Sequence, residues 1–257
     1  MQQLIRDLKE LKLNGMAHCL EEQQSSLLNK DLSFEERLEL IVHHELTLKR
    51  NRKISRLLKM ANLRHSISLE NMKYSDNSGL KRSQLLSLMK LDFITRKQNV
   101  LITGATGCGK TYLTCAIGNK ACIEGYMVKF VKLPLFLEEL QLHHKTGTFM
   151  RLLQSLMKYD LLILDDFGIS AIDATQLHDL FNIIDERYQL KSTIITSQLP
   201  VKSWHSYLGD PTIADALLDR FLSQADRIEL KGESLRWDKQ KSEKVNNNEK
   251  GDNDDKV

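Results

Sequence analysis

One run of residues limits the fold of this chain more than any other. Gly104-Ala105-Thr106-Gly107-Cys108-Gly109-Lys110-Thr111 matches G-x-x-x-x-G-K-[ST], directly after an apolar run, Val100–Thr103, and directly before a helical run, Tyr112 to Ala121. A strand, a glycine loop and a helix in that order form a phosphate cradle: glycines let successive amides turn inward, and the helix N-terminus adds its positive dipole end. Gly104 to Thr111, followed by Tyr112, are therefore the expected contacts to ATP, with Lys110 reaching the β- and γ-phosphates and Thr111 giving a hydroxyl to Mg²⁺.

A second element fits the first. Leu161-Leu162-Ile163-Leu164-Asp165-Asp166 is a four-residue apolar strand, too short for a free helix, ending in two acids. Such a strand is buried except at its tip, so Asp165 is expected to hold Mg²⁺, directly or through water, and Asp166 to polarise the attacking water. Thr193–Thr196 is followed by Ser197-Gln198, which puts polar side chains at the same carboxyl edge, where Gln198 would read the γ-phosphate or orient water. With Met127–Lys132 and Arg227–Leu230, five strands alternate with helical stretches. The expected fold is α/β: a parallel five-stranded sheet flanked by helices.

Residues 1–68 read as a small all-helical domain before this core. Leu4, Leu8 and Leu11 recur at helical spacing until Asn14-Gly15, read as the end of the first helix. Ser33 with Glu36 forms a capping box, opening a long helix whose apolar stripe runs through Leu38, Ile41, Val42, Leu46, Ile54, Leu57, Leu58 and Ala61. Its far half is basic: Lys49 to Arg64 holds seven Lys/Arg and no acid, and residues 1–99 carry 18 Lys/Arg against 12 Asp/Glu although the whole chain is only +3. That field suits phosphodiester backbones, although a solvated helix face has the same composition. Lys49, Arg50, Arg52, Lys53 and Arg56 are the candidate DNA contacts. A second basic set is Lys145, Arg151 and Lys158, and the adjacent His143-His144 is expected to be solvated rather than ligating.

The polar run 66–83 starts a linker region assigned to 69–98, the core is assigned to 99–238, and 239–257, nearly all charged or Asn, is expected to be a disordered tail. No run approaches the roughly 20 apolar residues of a membrane span, and charges occupy the N-terminus, so no membrane partner and a cytoplasmic location are expected. Cys19, Cys108, Cys115 and Cys122 lack CxxC spacing and point neither to zinc nor to disulfides; Cys115 and Cys122 read as small buried thiols on one helix.

Taken together, GATGCGKT, LLILDDFG, STIITSQLPVKSWHSYLGDPTIADALLDRF and RIELKGESLR, preceded by LKLNGMAHCL, DLSFEERLEL and GLKRSQLLSLMKLDFITRKQNVLITG, resemble the IstB-like ATPases over about residues 4 to 237. These are helpers of insertion-sequence transposases and relatives of the DnaC helicase loader. The resemblance implies the AAA+ type of P-loop fold, a homo-oligomer with ATP at subunit interfaces, binding to double-stranded DNA without sequence preference, and a transposase partner. It places Arg220 at the arginine finger, Arg236 at the sensor arginine and Gln198 at the first sensor. Spacing alone would read either arginine as a surface ion pair. Two departures stand out. Asp166 occupies a position where many AAA+ ATPases carry Glu, so slow hydrolysis is expected, and little chain follows Arg236 to build a helical lid. A helicase loader shares every nucleotide residue; the basic helix with GMAHCL and LSFEERLEL favours the transposition helper.

Overall fold

The computed structural model of the protein describes residues 1–25, 32–65, 67 and 79–231. Arg236, the segment 239–257 and most of the run 66–83 lie outside the described residues. The chain packs as two units, Met1–Leu57 and Leu58–Val257, so the division falls inside a helix, α3 (Phe34–Ala61).

The larger unit is built on a sheet of β1 (Val100–Gly104), β2 (Val128–Lys132), β3 (Leu161–Phe167), β4 (Ser192–Ser197) and β5 (Asp226–Leu230) in the order β2-β3-β4-β1-β5. All neighbours are parallel. Leu161 to Leu164 are fully buried without alternation, because helices cover both faces of the sheet. Leu162 and Leu164 pack with α7 (Leu133–Lys145), α8 (Phe149–Leu156), α9 (Ala174–Arg187), α10 (Trp204–Leu208) and α11 (Pro211–Leu222). Ile163, between them, turns to α6 (Lys110–Ile123), where a Cβ on Gly118 would stand 3.1 Å from its Cδ1.

Two expectations need correction here. β3 does not stop at Leu164 but runs through both acids to Phe167, because pairing with β4 resumes at Phe167↔Ser197 after a register shift. The region read as linker carries α4 (Arg82–Lys90) and α5 (Asp92–Thr95), and its Leu88, Leu91, Phe93 and Ile94 are buried. The Phe93 carbonyl accepts from Ser192 Oγ at 3.0 Å, tying this region to β4.

Arg187, at the end of α9, is buried with its guanidinium donating to Leu156 O, Tyr159 O and Ser192 O at 2.8, 3.0 and 2.7 Å. Burial pulls its pKa down to about 10, yet the three carbonyls fix the end of α8 and the entry to β4 around a single side chain.

In the smaller unit α1 (Gln2–Glu10) and α2 (Asn14–Ser25) pack with α3 through Ile5, Ala17, Cys19, Leu20 and Ile41. Asn14-Gly15 therefore opens the second helix rather than closing the first. The chain reverses earlier, at Lys12 with φ 60. Glycine is needed at 15 because a Cβ there would lie 2.8 Å from the Glu45 Cα. Ser33 and Glu36 form the expected reciprocal cap, at 2.8 and 3.2 Å. The apolar stripe is only partly buried: Ile41, Leu57 and Ala61 are covered, whereas Leu38, Val42 and Leu46 are exposed.

The polar residue buried on that helix is Glu45, whose Oε2 accepts from Gly15 N at 2.6 Å and Met16 N at 3.1 Å, while Lys49 Nζ stands 3.4 Å from Oε1. Burial pushes this carboxyl up, but the two amides and the Lys49 ammonium outweigh it and hold the pKa below its ordinary value. A carboxylate with a depressed folded pKa adds stability above its unfolded pKa, and that stability is lost as pH falls through the folded one. Glu45→Ala should therefore lower stability at neutral pH by roughly 1–3 kcal/mol, the cost of orphaned buried amides, in chemical denaturation of the full chain. The gap between the two proteins should close as pH falls below the ordinary glutamate range; a variant as stable as the parent at pH 7 would show that Glu45 does not hold α2.

Candidate nucleotide site

The loop between β1 and α6 takes its shape from three glycines in positive φ: Gly104 at 149°, Gly107 at 85° and Gly109 at 93°. Gly104 has a further reason. A Cβ there would lie 2.4 Å from Leu230 O and 2.9 Å from Cys108 Sγ, so the backbone of β5 excludes any side chain. Lys110, first residue of α6 and buried, donates to Gly104 O at 2.7 Å and Ala105 O at 2.8 Å. Its present partners are thus carbonyls of the loop that it would leave for phosphate oxygens.

Thr111 Oγ1 donates to Asp165, at 3.1 Å from Oδ1 and 2.9 Å from Oδ2. The two expected metal ligands, 54 residues apart, meet because β3 carries Asp165 to the edge where the loop enters α6. Thr196 Oγ1 donates to Asp165 Oδ1 at 2.6 Å and accepts from Asp166 N at 3.0 Å. Burial pushes the Asp165 carboxyl above its ordinary range, against the hydroxyl of Thr196; the charge of Asp166 pushes the same way, against Thr111 and the Lys132 ammonium.

Asp166 departs from its neighbours. It has φ 68, in the left-handed region, and its side chain is part-exposed with Oδ2 4.0 Å from Lys132 Nζ. Asp tolerates this conformation at some cost, and such strain at a sheet edge turns the side chain away from the path of the strand. Gln198 is exposed and accepts from Thr106 Oγ1 at 2.7 Å, which joins the end of β4 to the tip of the loop. Tyr112 is half-buried on α6, its ring 6.4 Å from that of His65.

Behind the acids Phe167 packs on Trp204 at 4.4 Å and edge-on to Tyr207 at 5.1 Å. The Trp204 indole donates to Leu199 O, and Tyr207 OH to Ser170 O. SWHSYL is thus a buttress under the end of the strand that carries the acids.

The structure does not bring Arg220 to this site. Its backbone carbonyl accepts from Asn99 Nδ2 at 3.4 Å, next to the start of β1 and at the opposite end of that strand from the loop. The guanidinium lies 4.9 Å over the Phe181 ring, is paired through Nε with Asp185, and donates to Ala216 O at 2.9 Å. Lys49, Arg50, Arg52, Lys53 and Arg56 are all exposed on α3, with 49, 52, 53 and 56 spaced along one face. Lys145, Arg151 and Lys158 are exposed as well. The His143-His144 pair is not simply solvated: His143 Nδ1 is bonded to Thr148 Oγ1 at 2.7 Å, and His144 Nε2 to buried Asp179 at 2.7 Å, with its ring stacked on Phe149. Cys115 and Cys122 are buried thiols as expected, with pKa values raised by burial.

Sequence reading missed Thr196, Lys132 and the Phe167–Trp204 buttress. Thr196 offered a signal, as a hydroxyl ending an apolar strand that pairs with β1 at Ile102.

The donor set fits a magnesium nucleotide: one ammonium held only by loop atoms, a hydroxyl on a buried carboxylate, and a glycine loop opening a helix. A carboxylate whose pKa burial raises is costly to keep charged, so removing the charge should relieve the empty protein. Asp165→Asn is expected to melt no lower, and by up to a few degrees higher, than the parent at neutral pH without nucleotide, in calorimetry. A clear drop in melting temperature would mean that the hydroxyl bonds to the carboxylate outweigh its burial.

A family model described as IstB-like ATP binding protein matches residues 6–244. The insertion sequence ATP-binding protein y4pL of Sinorhizobium fredii is 40% identical over 229 residues, covering 89% of this chain and 94% of that protein. The ATP-binding protein of insertion sequence IS1162 from Pseudomonas fluorescens is 41% identical over 200 residues, covering 77% and 87%. Among solved structures, the DnaC helicase loader superposes with a TM-score of 0.53 at 21% identity, over 64% of this chain and 96% of that one, a likeness of fold. No helix among the described residues is long and apolar enough to cross a membrane. With its five-stranded parallel sheet and a P-loop against Asp165, the chain belongs to the family of IstB-like ATP binding proteins.

Proposed function

We propose that the protein is an ATPase that binds MgATP, assembles with copies of itself on duplex DNA, and serves the transposase of an insertion sequence. The observation that carries the nucleotide chemistry is Thr111 Oγ1 bonded to both oxygens of Asp165 beside the Lys110 loop. The insertion-sequence role rests on the kinship with y4pL and the IS1162 protein.

Thr111 and Asp165 would hold Mg²⁺, whose charge neutralises that developing on the β- and γ-oxygens. Lys110 exchanges loop carbonyls for phosphate. Asp166 takes a proton from water as its oxygen attacks the γ-phosphorus; the bond to the bridging oxygen breaks and ADP leaves with the electron pair. Lys132, whose Nζ stands 4.0 Å from Asp166 Oδ2, holds that carboxylate in place. Gln198 orients water or the γ-phosphate from its position at the loop tip, and Arg236 would contact the same nucleotide. The short reach of Asp166 makes slow turnover the expected outcome.

Arg220, remote from the Lys110 loop of its own chain, stabilises transferred charge only in a neighbour's site. This supports an assembly with shared sites. The basic face of α3 supplies phosphate contacts without base readout.

Two measurements test this reading. Arg220→Ala and Asp166→Asn should each lose ATPase activity, the former by roughly 10³-fold or more, and mixing the two inactive proteins should restore a measurable fraction, since intact half-sites meet at mixed interfaces. No recovery on mixing would confine Arg220 to a structural role. In the second, duplex DNA should tighten ATP binding, and replacing Lys49, Arg52, Lys53 and Arg56 with Ala should weaken DNA binding. The replacement should also flatten its log–log salt dependence by about 0.9 for each phosphate contact removed. Absence of coupling between the two ligands would remove the assembly step.

A further inference from the structure

Away from the nucleotide site, the smaller unit gathers three metal-ligating side chains that the ATPase reading does not use. His18 and Glu22 lie one helical turn apart on α2, and His44 faces them from α3. One ligand atom from each lies within 4.8 Å of the others. His18 Nδ1 and Glu22 Oε2 are 3.5 Å apart. In a tetrahedral site with bonds near 2.0–2.1 Å, ligand atoms stand about 3.3–3.5 Å from one another, so this pair already has the required separation. His44, within 4.8 Å of both, has to approach by at most about 1.5 Å to reach that spacing.

His44 is prepared for that role. Its Nδ1 is 3.0 Å from Gly15 O. A carbonyl only accepts, so Nδ1 carries the proton and Nε2 of the neutral ring keeps its lone pair. A backbone carbonyl fixing one imidazole nitrogen while the other ligates is the common outer-shell arrangement of protein metal sites. The Gly15 carbonyl is itself fixed, because the Met16 amide of the same planar peptide unit donates to buried Glu45. The two imidazoles are stacked nearly parallel, 5.7 Å between centroids and 10° between planes, which already brings α2 and α3 together at this point.

Glu22 and His44 line an open cavity of about 440 Å³, and His18 and Glu22 are exposed. Water can therefore complete the coordination. Cys19, on the same cavity wall, stays a thiol, since burial and then the Glu22 charge raise its pKa.

We propose that His18, Glu22 and His44 form a binding site for a divalent transition metal of the zinc class, which ties α2 to α3. Two imidazoles and one carboxylate with an open position suit Zn²⁺ or Co²⁺ and disfavour Mg²⁺, which prefers an all-oxygen octahedron.

The test uses the full chain, stripped with chelator and held in excess Mg²⁺ so that the oxygen-rich nucleotide site is occupied. Zn²⁺ is titrated by calorimetry and Co²⁺ by its visible d–d absorption. One equivalent should bind, and His18→Ala and Glu22→Gln should each weaken it by more than the roughly 10-fold that loss of an outer-shell partner costs. Both residues are exposed, so the variants should keep the parent's circular dichroism and its ATP affinity. Asp165→Asn should bind Zn²⁺ as the parent does. The proposal is overturned if no stoichiometric binding occurs, if the double variant His18→Ala/Glu22→Gln binds unchanged, or if binding disappears in Asp165→Asn. None of these outcomes depends on ATP being hydrolysed.

Discussion

Everything at the sheet edge is arranged around one buried carboxylate. Asp165 receives hydroxyls from Thr111 at the start of α6 and from Thr196 at the end of β4, so a single side chain on β3 joins the element before it in space to the one after. Its neighbour Asp166 bonds back to Thr196 through its amide. A displacement of β3 by one residue would turn both acids to the wrong faces of the sheet. The register that prevents this is set below the edge, where Leu161 to Leu164 pair with β2 and β4 under helices on both sides. The core thus sets the chemistry by fixing where the strand ends.

That dependence explains what the sequence disclosed and what it did not. A strand covered on both faces has to be apolar throughout, so LLIL was recognisable without knowledge of its partners. The continuation to Phe167 was not, because it arises from a register shift against Ser197 and from a positive φ at Asp166, neither of which a local pattern records. The helices at 82–95 were hidden for a related reason: Leu88, Leu91, Phe93 and Ile94 become core only when β4 is present to receive them. Gly15 misled in the opposite way. A glycine after a periodic run commonly closes a helix, but here it is demanded by the close approach of α3, a contact 30 residues away that no local pattern records.

The candidate site divides along the same line. Lys110, Thr111 and Asp165 follow from motif spacing because loop, helix and strand tip are rigidly related in any fold of this kind, and they are found together. Arg220 is different: its place beside Asn99 at the far end of β1 keeps it away from the loop of its own chain, a separation that motif spacing does not record. Its present partners, Asp185, Phe181 and the Ala216 carbonyl, hold the guanidinium on α11 at the surface of the unit. An assembly that recruits it has to exchange those contacts for charge on the nucleotide, and the exchange is a natural point at which assembly and turnover become coupled.

Three buried charged groups show how the protein distinguishes support from function. Arg187 meets three carbonyls with its guanidinium, and Glu45 accepts two amides beside a lysine. Each has strong, directed partners, and Glu45 gains enough from them that its charged form is favoured despite burial. Asp165 is bonded only to neutral hydroxyls, with a second carboxylate next door, and the Lys132 ammonium does not offset its burial, so its charged form is disfavoured. A fold selected for stability alone would place an amide or an apolar group at that position. A carboxylate kept there against its own solvation fits the proposed cation site, and one of its two hydroxyl partners, Thr111, sits at the mouth of the loop that would receive the phosphates such a cation neutralises.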